Sequence, residues 1–294
     1  MHRPQTIQIF LPTGDPRGVR VAEITTRIVR VIDVPRSRLE DFAVMPESQQ
    51  VGIYFLVDEL FEAGLRRVYI GQSGAVGKRL EQHHQNKDFW SRAFVVISLT
   101  NSLTQTHAQL LEWLAIADAT KAGRYSLENG NTGSQAYTPA PLQADCQEIH
   151  ETAGILLATL GQPIFDSLAT SADAEGETEI FYCKGSGSDG EGQYTSEGFV
   201  VLKGSKGRVG IAPSLQGTSN ERMRNLLVTK GVLTGSQDSN GRWLVFTRDH
   251  LCSSPSTAAM LIMGRSSNGW VEWKNLAGQT LDEVKRQPVQ SNTY

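Results

Sequence analysis

Two short strands, each with a tyrosine and a glycine two residues apart, constrain this chain more than any other feature. The first is Gly52-Ile53-Tyr54, inside an apolar run from Val51 to Val57, and the second is Tyr69-Ile70-Gly71, after a charged turn. Residues two apart in a strand point to the same face. A hairpin made of these strands therefore brings both tyrosines together on one face of a sheet.

The segments after this hairpin predict two helices with polar residues at defined places. A helix from Val76 to Asn86 carries Arg79 and His83 one turn apart on the same face. A longer helix from Thr106 to Lys121 is apolar on nearly every side in its middle, where Glu112 interrupts it. Because burying an unpaired carboxylate is costly, Glu112 needs a partner, either a divalent cation or a buried arginine.

Taken in this order and on these elements, the residues resemble the signature of the GIY-YIG nuclease family. The resemblance implies a metal-dependent endonuclease that hydrolyses DNA phosphodiester bonds, with Mg²⁺ or Mn²⁺ as the cofactor. The expected partner is DNA, most simply double-stranded, and RNA remains open. The resemblance assigns catalysis to Tyr54, Tyr69, Arg79, His83 and Glu112, the metal to Glu112, and a structural role to Gly52 and Gly71.

Each of these side chains has an implied role in the reaction. Tyr54 would orient or deprotonate a water molecule, with His83 or Tyr69 assisting the proton transfer. Arg79 would neutralise charge on the phosphorus oxygens, and a cation held by Glu112 would stabilise the leaving oxygen. One carboxylate makes an incomplete metal site, so waters and the phosphate must fill the remaining positions.

The family also uses a later asparagine, which Asn129 or Asn131 could match as a substrate-binding residue; the sequence does not choose between them. Two features depart from the family pattern. The connection from Phe55 to Val68 is longer than usual, and Gln72-Ser73 stand where some members supply a lysine.

Each residue also has a structural interpretation. Tyr54 and Tyr69 could be strand aromatics that only pack the sheet, and His83 could be solvated helix surface. Arg79 could pair with Glu81 or Glu62. The alternative function is therefore a non-catalytic protein that binds nucleic acid, in particular modified DNA.

The last third of the chain carries a second resemblance. Its segments around Gly198 to Ser205, Ser253 to Ala259 and Gly264 to Trp273 are similar to RAMA modules of restriction and modification systems. That similarity implies a DNA-binding domain, with Trp270 and Trp273 as candidates for stacking on a base.

Basic charge is concentrated in the same third of the chain. Between residues 198 and 230, six basic side chains stand against Glu221, and Lys203, Lys206 and Arg208 are the candidate DNA contacts. The net charge of the whole chain is only -3, so DNA binding must come from such local patches.

Gly185 to Gly192 is expected to be a flexible connector.

The predicted fold class is α+β, with a small mixed or antiparallel sheet flanked by helices in the nuclease core. Four segments are expected: an N-terminal β-rich accessory module at 1–50, the nuclease domain at 51–165, a linker at 166–177 and the RAMA-like domain at 178–294. No apolar run is long enough to cross a bilayer, and three scattered cysteines give no disulfide framework. The expected location is the cytoplasm.

Overall fold

The structure is a computed structural model that describes residues 4–58, 66–130, 138–169, 179–238 and 241–287. The chain divides into two compact units, Met1–Asp166 and Ser167–Tyr294. Each unit combines a β-sheet with helices, which confirms the predicted α+β class. None of the helices in these ranges is both long and apolar enough to span a membrane.

The first unit contains a seven-stranded sheet. Its strands follow the spatial order β1-β2-β3-β6-β4-β5-β7 and are antiparallel, except that β5 and β7 run parallel. The strands are β1 (Ile7–Phe10), β2 (Arg20–Ile24), β3 (Val29–Pro35), β4 (Gly52–Val57), β5 (Arg67–Ser73), β6 (Arg92–Ser98) and β7 (Ser126–Leu127).

Helices cover both faces of this sheet. The helices of the first unit are α1 (Leu39–Ala43), α2 (Val76–Asn86), α3 (Gln105–Ala122) and α4 (Ala140–Thr159). All six residues of β4 are buried, as expected for a central strand covered on both sides. Tyr54 and Leu56 face a core shared with α1 and α2, whereas Ile53 and Phe55 face the core under α3 and α4.

The expected separation of residues 1–50 as an accessory module is corrected by the strand pairing. β3 pairs with β6 along all seven of its residues, from Val29↔Ser98 to Pro35↔Arg92. β2 and β1 extend the sheet from β3. The N-terminal strands therefore complete the same sheet that carries the two tyrosine strands, and this sheet is larger than expected.

The second unit contains another seven-stranded sheet, with the order β12-β13-β11-β9-β10-β14 and β8 paired to β9. Its strands are β8 (Ile180–Gly185), β9 (Ser188–Thr195), β10 (Gly198–Val201), β11 (Lys206–Arg208), β12 (Leu233–Asp238), β13 (Gly241–Phe246) and β14 (His250–Cys252). Its helices are α5 (Ser219–Thr229), α6 (Pro255–Met263), α7 (Gly269–Glu272) and α8 (Leu281–Lys285).

Helix α6 forms the centre of the second core. Its buried residues pack on β8, β9, β10, β11 and β14. The expectation that Gly185 to Gly192 is a flexible connector is wrong, because β8 and β9 form a hairpin across this segment with six residue pairs.

Candidate active site

The register of β4 and β5 places the two tyrosines side by side. Tyr54 lies opposite Gly71, and Leu56 lies opposite Tyr69, so both tyrosines point to the α2 face. Their ring centroids are 6.4 Å apart and the rings are inclined by 29°. Tyr54 is 1% exposed and Tyr69 is half-buried.

Both glycines of the motif are required by close contacts. A Cβ atom on Gly71 would come within 2.5 Å of Tyr54 Cζ and closer still to its hydroxyl oxygen. A Cβ atom on Gly52 would lie 2.5 Å from the Val96 carbonyl oxygen. Gly71 therefore provides the surface over which the Tyr54 ring lies, and Gly52 allows β4 to approach β6.

Helix α2 brings Arg79 and His83 to the buried tyrosine. His83 Nε2 lies 2.8 Å from Tyr54 Oη, and Arg79 Nε donates to the same oxygen at 3.4 Å. Arg79 Nη1 also donates to Gln82 Oε1 at 2.9 Å. His83 is 5% exposed, whereas Arg79 is exposed to solvent. The spacing of four residues thus places one buried and one accessible group at the same hydroxyl.

Burial sets the protonation states at this hydroxyl. Burial raises the pKa of Tyr54 well above its usual value, although the hydrogen bond from Arg79 opposes this shift. Burial, followed by the charges of Arg79 and Lys87, lowers the pKa of His83 to about 4. At neutral pH both Tyr54 and His83 are therefore uncharged.

The direction of the hydrogen bond between Tyr54 and His83 depends on which ring nitrogen of neutral His83 carries the proton. Arg79 can only donate, so it occupies a lone pair of Tyr54 Oη. In the tautomer with the proton on Nδ1, His83 Nε2 accepts the Tyr54 hydroxyl proton. In this tautomer Tyr54 can pass its hydroxyl proton to His83 and accept another proton at the same oxygen.

Glu112 reaches the open edge of β5 from α3. It is half-buried, and burial raises the pKa of its carboxyl, whereas the Gln72 backbone amide and Arg79 act in the opposite direction. No arginine or lysine nitrogen of the described residues lies within 4.0 Å of the Glu112 carboxylate. In that part of the chain, therefore, no arginine forms the ion pair with Glu112 that the sequence left as the alternative to a cation.

Asn129 has a structural position at the same edge. Its Oδ1 accepts from the Ile70 amide at 3.0 Å and its Nδ2 donates to the Ile70 carbonyl at 2.7 Å. The short β7 pairs only with Arg67 and Val68, so Asn129 continues the ladder where β7 ends. Asn129 thus braces the tyrosine strand, and Asn131 lies outside the described residues.

The donor set at Glu112 fits a metal only in part. Within the described ranges, no three His, Cys, Asp or Glu side chains are grouped so that they could hold a metal ion. Glu112 can supply one carboxylate ligand to a hard cation such as Mg²⁺, a cation that commonly keeps several water ligands and binds substrate phosphates.

Lys87 is a residue of this site that the motif pattern did not identify. Its Nζ lies 4.2 Å from the Tyr69 ring centroid. It follows the last residue of α2, where a pattern based on helix spacing stops. The indication of Lys87 in the sequence is that it lies four residues after His83, just as His83 lies four residues after Arg79.

The second-unit segments Ser253 to Ala259 and Gly264 to Trp273 pack against each other in the structure. Trp273 is fully buried and its Nε1 donates to the Pro255 carbonyl at 3.0 Å. The Gly269 amide donates to Ser256 Oγ at 3.1 Å, and a Cβ atom on Gly269 would clash with Pro255. These contacts lock α7 against the start of α6. The hypothesis that Trp273 stacks on a base is therefore wrong.

The candidate DNA contacts of the second unit differ in accessibility. Lys203 and Arg208 are exposed, and Lys206 is half-buried with its Nζ 5.3 Å from the Trp243 ring centroid. Arg224, which contributes to the basic surplus of the sequence, is only 3% exposed. The number of basic side chains between residues 198 and 230 that DNA can reach is therefore lower by one than the sequence count.

Comparison with known protein families gives a match in the second unit. Residues 181–285 match a family model described as a domain of unknown function, DUF4357. Neither the curated proteins nor the solved structures include a match to the chain.

Proposed function

We propose that this protein is a GIY-YIG nuclease, a metal-dependent endonuclease that hydrolyses phosphodiester bonds of DNA in restriction, phage defence or repair. The observation that carries this proposal is the convergence on one buried hydroxyl. Tyr54 Oη lies 2.8 Å from His83 Nε2 and 3.4 Å from Arg79 Nε. Tyr69 flanks the same centre, with its ring 5.3 Å from the His83 ring.

This arrangement supplies the proton transfer that hydrolysis needs. A water molecule in front of Tyr54 loses its proton to the tyrosine oxygen as the tyrosine hydroxyl gives its own proton to His83. His83 is neutral at pH 7, so it has an unprotonated ring nitrogen for this proton, although burial and the nearby cations make it a weak base. Arg79 is accessible to solvent and binds the phosphate oxygens on which negative charge develops.

Glu112 is the residue that would hold Mg²⁺ or Mn²⁺. When bound, the cation stabilises negative charge on the leaving oxygen. Among the described residues, no cationic side chain lies within 4.0 Å of the Glu112 carboxylate. This carboxylate is therefore available to a metal.

The second unit is proposed to hold the DNA duplex. Lys203 and Arg208 are accessible on and beside β11, and neutralising phosphates with such cations releases counterions from DNA. This role requires no base stacking by Trp273, which is buried.

Glu112→Gln tests the nuclease proposal. The variant keeps the shape of the side chain and loses its charge, so cleavage of plasmid DNA in Mg²⁺ should fall by at least about a hundredfold, the scale of one electrostatic group. Glu151→Gln, at an exposed position of α4, is the matched control and should cleave at the wild-type rate. Cleavage by Glu112→Gln at the control rate would remove Glu112 from the site.

A further inference from the structure

Three basic groups lie along one line of α2. Arg79, His83 and Lys87 are spaced by four residues, and four residues of an α-helix advance by about 6 Å and return to nearly the same face. Lys87 follows the last helical residue, but its amide still donates to the His83 carbonyl at 2.9 Å. Lys87 therefore continues the line of Arg79 and His83 by one more turn.

Lys87 is held by an aromatic ring. Its Nζ lies 4.2 Å from the centroid of Tyr69, and the Tyr69 ring also contacts His83 and Tyr54. In the described part of the chain no carboxylate oxygen lies within 4.0 Å of the Lys87 ammonium. The adjacent Asp88 is directed to Arg36, at 3.5 Å.

This mode of attachment leaves the ammonium able to bind an anion. A cation–π contact attracts the charge of the ammonium without consuming its three N–H donors. An aromatic ring also fixes the position of the charge and does not neutralise it, as a carboxylate would. Lys87 thus presents a positioned positive charge beside Tyr69, on the side away from Arg79 along the helix.

We propose that Lys87 is a substrate-binding residue that contacts a second DNA backbone phosphate, a few nucleotides along the strand from the one held at Arg79. This inference rests on the proposed nuclease function. Arg79 and Lys87 are two helical turns apart, about 12 Å along the axis. Phosphates of one strand follow each other at about 3.4 Å of axial rise, so one strand passing both residues offers each a separate phosphate.

The test compares the full-length wild type with three variants. Lys87→Met removes the charge and keeps a long apolar side chain over Tyr69. Lys87→Arg keeps both the charge and the ring contact. Lys121→Met removes an exposed lysine in the last turn of α3 and is the control for net charge. Duplex binding is measured by fluorescence anisotropy in EDTA between 50 and 200 mM salt.

Loss of one phosphate contact should reduce the slope of log affinity against log salt by about 0.9 in Lys87→Met. Lys87→Arg and Lys121→Met should keep the wild-type slope. If the wild type binds duplex and Lys87→Met has the same slope, the Lys87 assignment is overturned while the nuclease proposal stands. If the wild type does not bind duplex at low salt, both are overturned.

A second measurement needs no DNA. The pKa of His83, followed by NMR, should rise in Lys87→Met because a nearby positive charge is gone, and should not move in Lys121→Met. A His83 pKa equal to that of the wild type in Lys87→Met would show that the Lys87 charge is not at this site, which overturns the assignment.

Discussion

Gly71→Ala probes the contact on which the site geometry depends. The new Cβ atom would lie 2.5 Å from Tyr54 Cζ and 2.9 Å from Tyr54 Cε2. Tyr54 is 1% exposed and packs among the apolar residues between β4 and α2. The ring cannot turn into solvent, so the clash must be relieved by a shift of the ring or of the strands.

The size of the shift sets the expected effects. Ordinary contact between these carbons begins at about 3.4 Å, so the ring must move by about 1 Å. A shift of this size away from His83 would lengthen the 2.8 Å hydrogen bond to about 3.8 Å, beyond hydrogen-bonding distance. We expect a loss of about 1–3 kcal/mol in unfolding free energy from overpacking and about a hundredfold loss of DNA cleavage.

Gly74→Ala is the matched control. Gly74 is exposed just after β5, and a Cβ atom there would have one neighbour, Gln105 Oε1 at 3.6 Å. Urea unfolding and plasmid cleavage are measured for both variants. Combining Gly71→Ala with Tyr54→Ala should abolish the stability cost specific to Gly71→Ala, because the clashing ring is gone. A Gly71→Ala variant as stable and active as Gly74→Ala would refute the packing argument.

Two further predictions concern acidity and salt. The pKa of His83 is about 4 in the folded protein, against 6.5 in the unfolded chain. As the pH drops, the unfolded chain therefore binds the proton first. The free energy of unfolding should fall by up to about 3 kcal/mol between pH 6.5 and pH 4. Urea unfolding at several pH values should show this loss in the wild type and not in His83→Gln; an equal loss in both would contradict it. In the full chain, neutralising Lys203, Lys206 and Arg208 together should flatten the slope of log duplex affinity against log salt by about three units, and an unchanged slope would exclude these residues as phosphate contacts.

The sequence predicted the side chains of the first-unit site better than the sheet that carries them. Period-two strands place Tyr54 and Tyr69 on one face, and the helix expected from Val76 to Asn86 has these limits in the structure. These relations are local, so they depend on spacing alone. The bracing of Ile70 by Asn129 depends on the place where β7 ends, which no local pattern specifies.

The sequence pattern did not predict β3, because charged residues interrupt its apolar run. In the structure Arg30 pairs with Glu23 of β2, and Asp33 is fully buried between Arg20 and Arg92. The partners lie on neighbouring strands, and only the assembled sheet neutralises the charges.

β9 was missed because its glycines resemble a linker. A Cβ atom on Gly190 would lie 2.8 Å from Ile262 Cγ1 of α6, and one on Gly192 would be 2.7 Å from the Val200 carbonyl oxygen. The glycines of β9 are therefore explained by close packing, of Gly190 against α6 and of Gly192 against the neighbouring strand β10, a tertiary cause that sequence composition does not reveal.

The most direct test of the nuclease proposal is incubation of supercoiled plasmid with the full-length protein, in Mg²⁺ and in EDTA, with products separated on a gel. Modified and unmodified plasmids are compared in parallel. We predict nicked or linear DNA in Mg²⁺ and intact plasmid in EDTA. Plasmid of both kinds that stays intact in Mg²⁺ and in Mn²⁺, or cleavage that persists in EDTA, would contradict a metal-dependent nuclease.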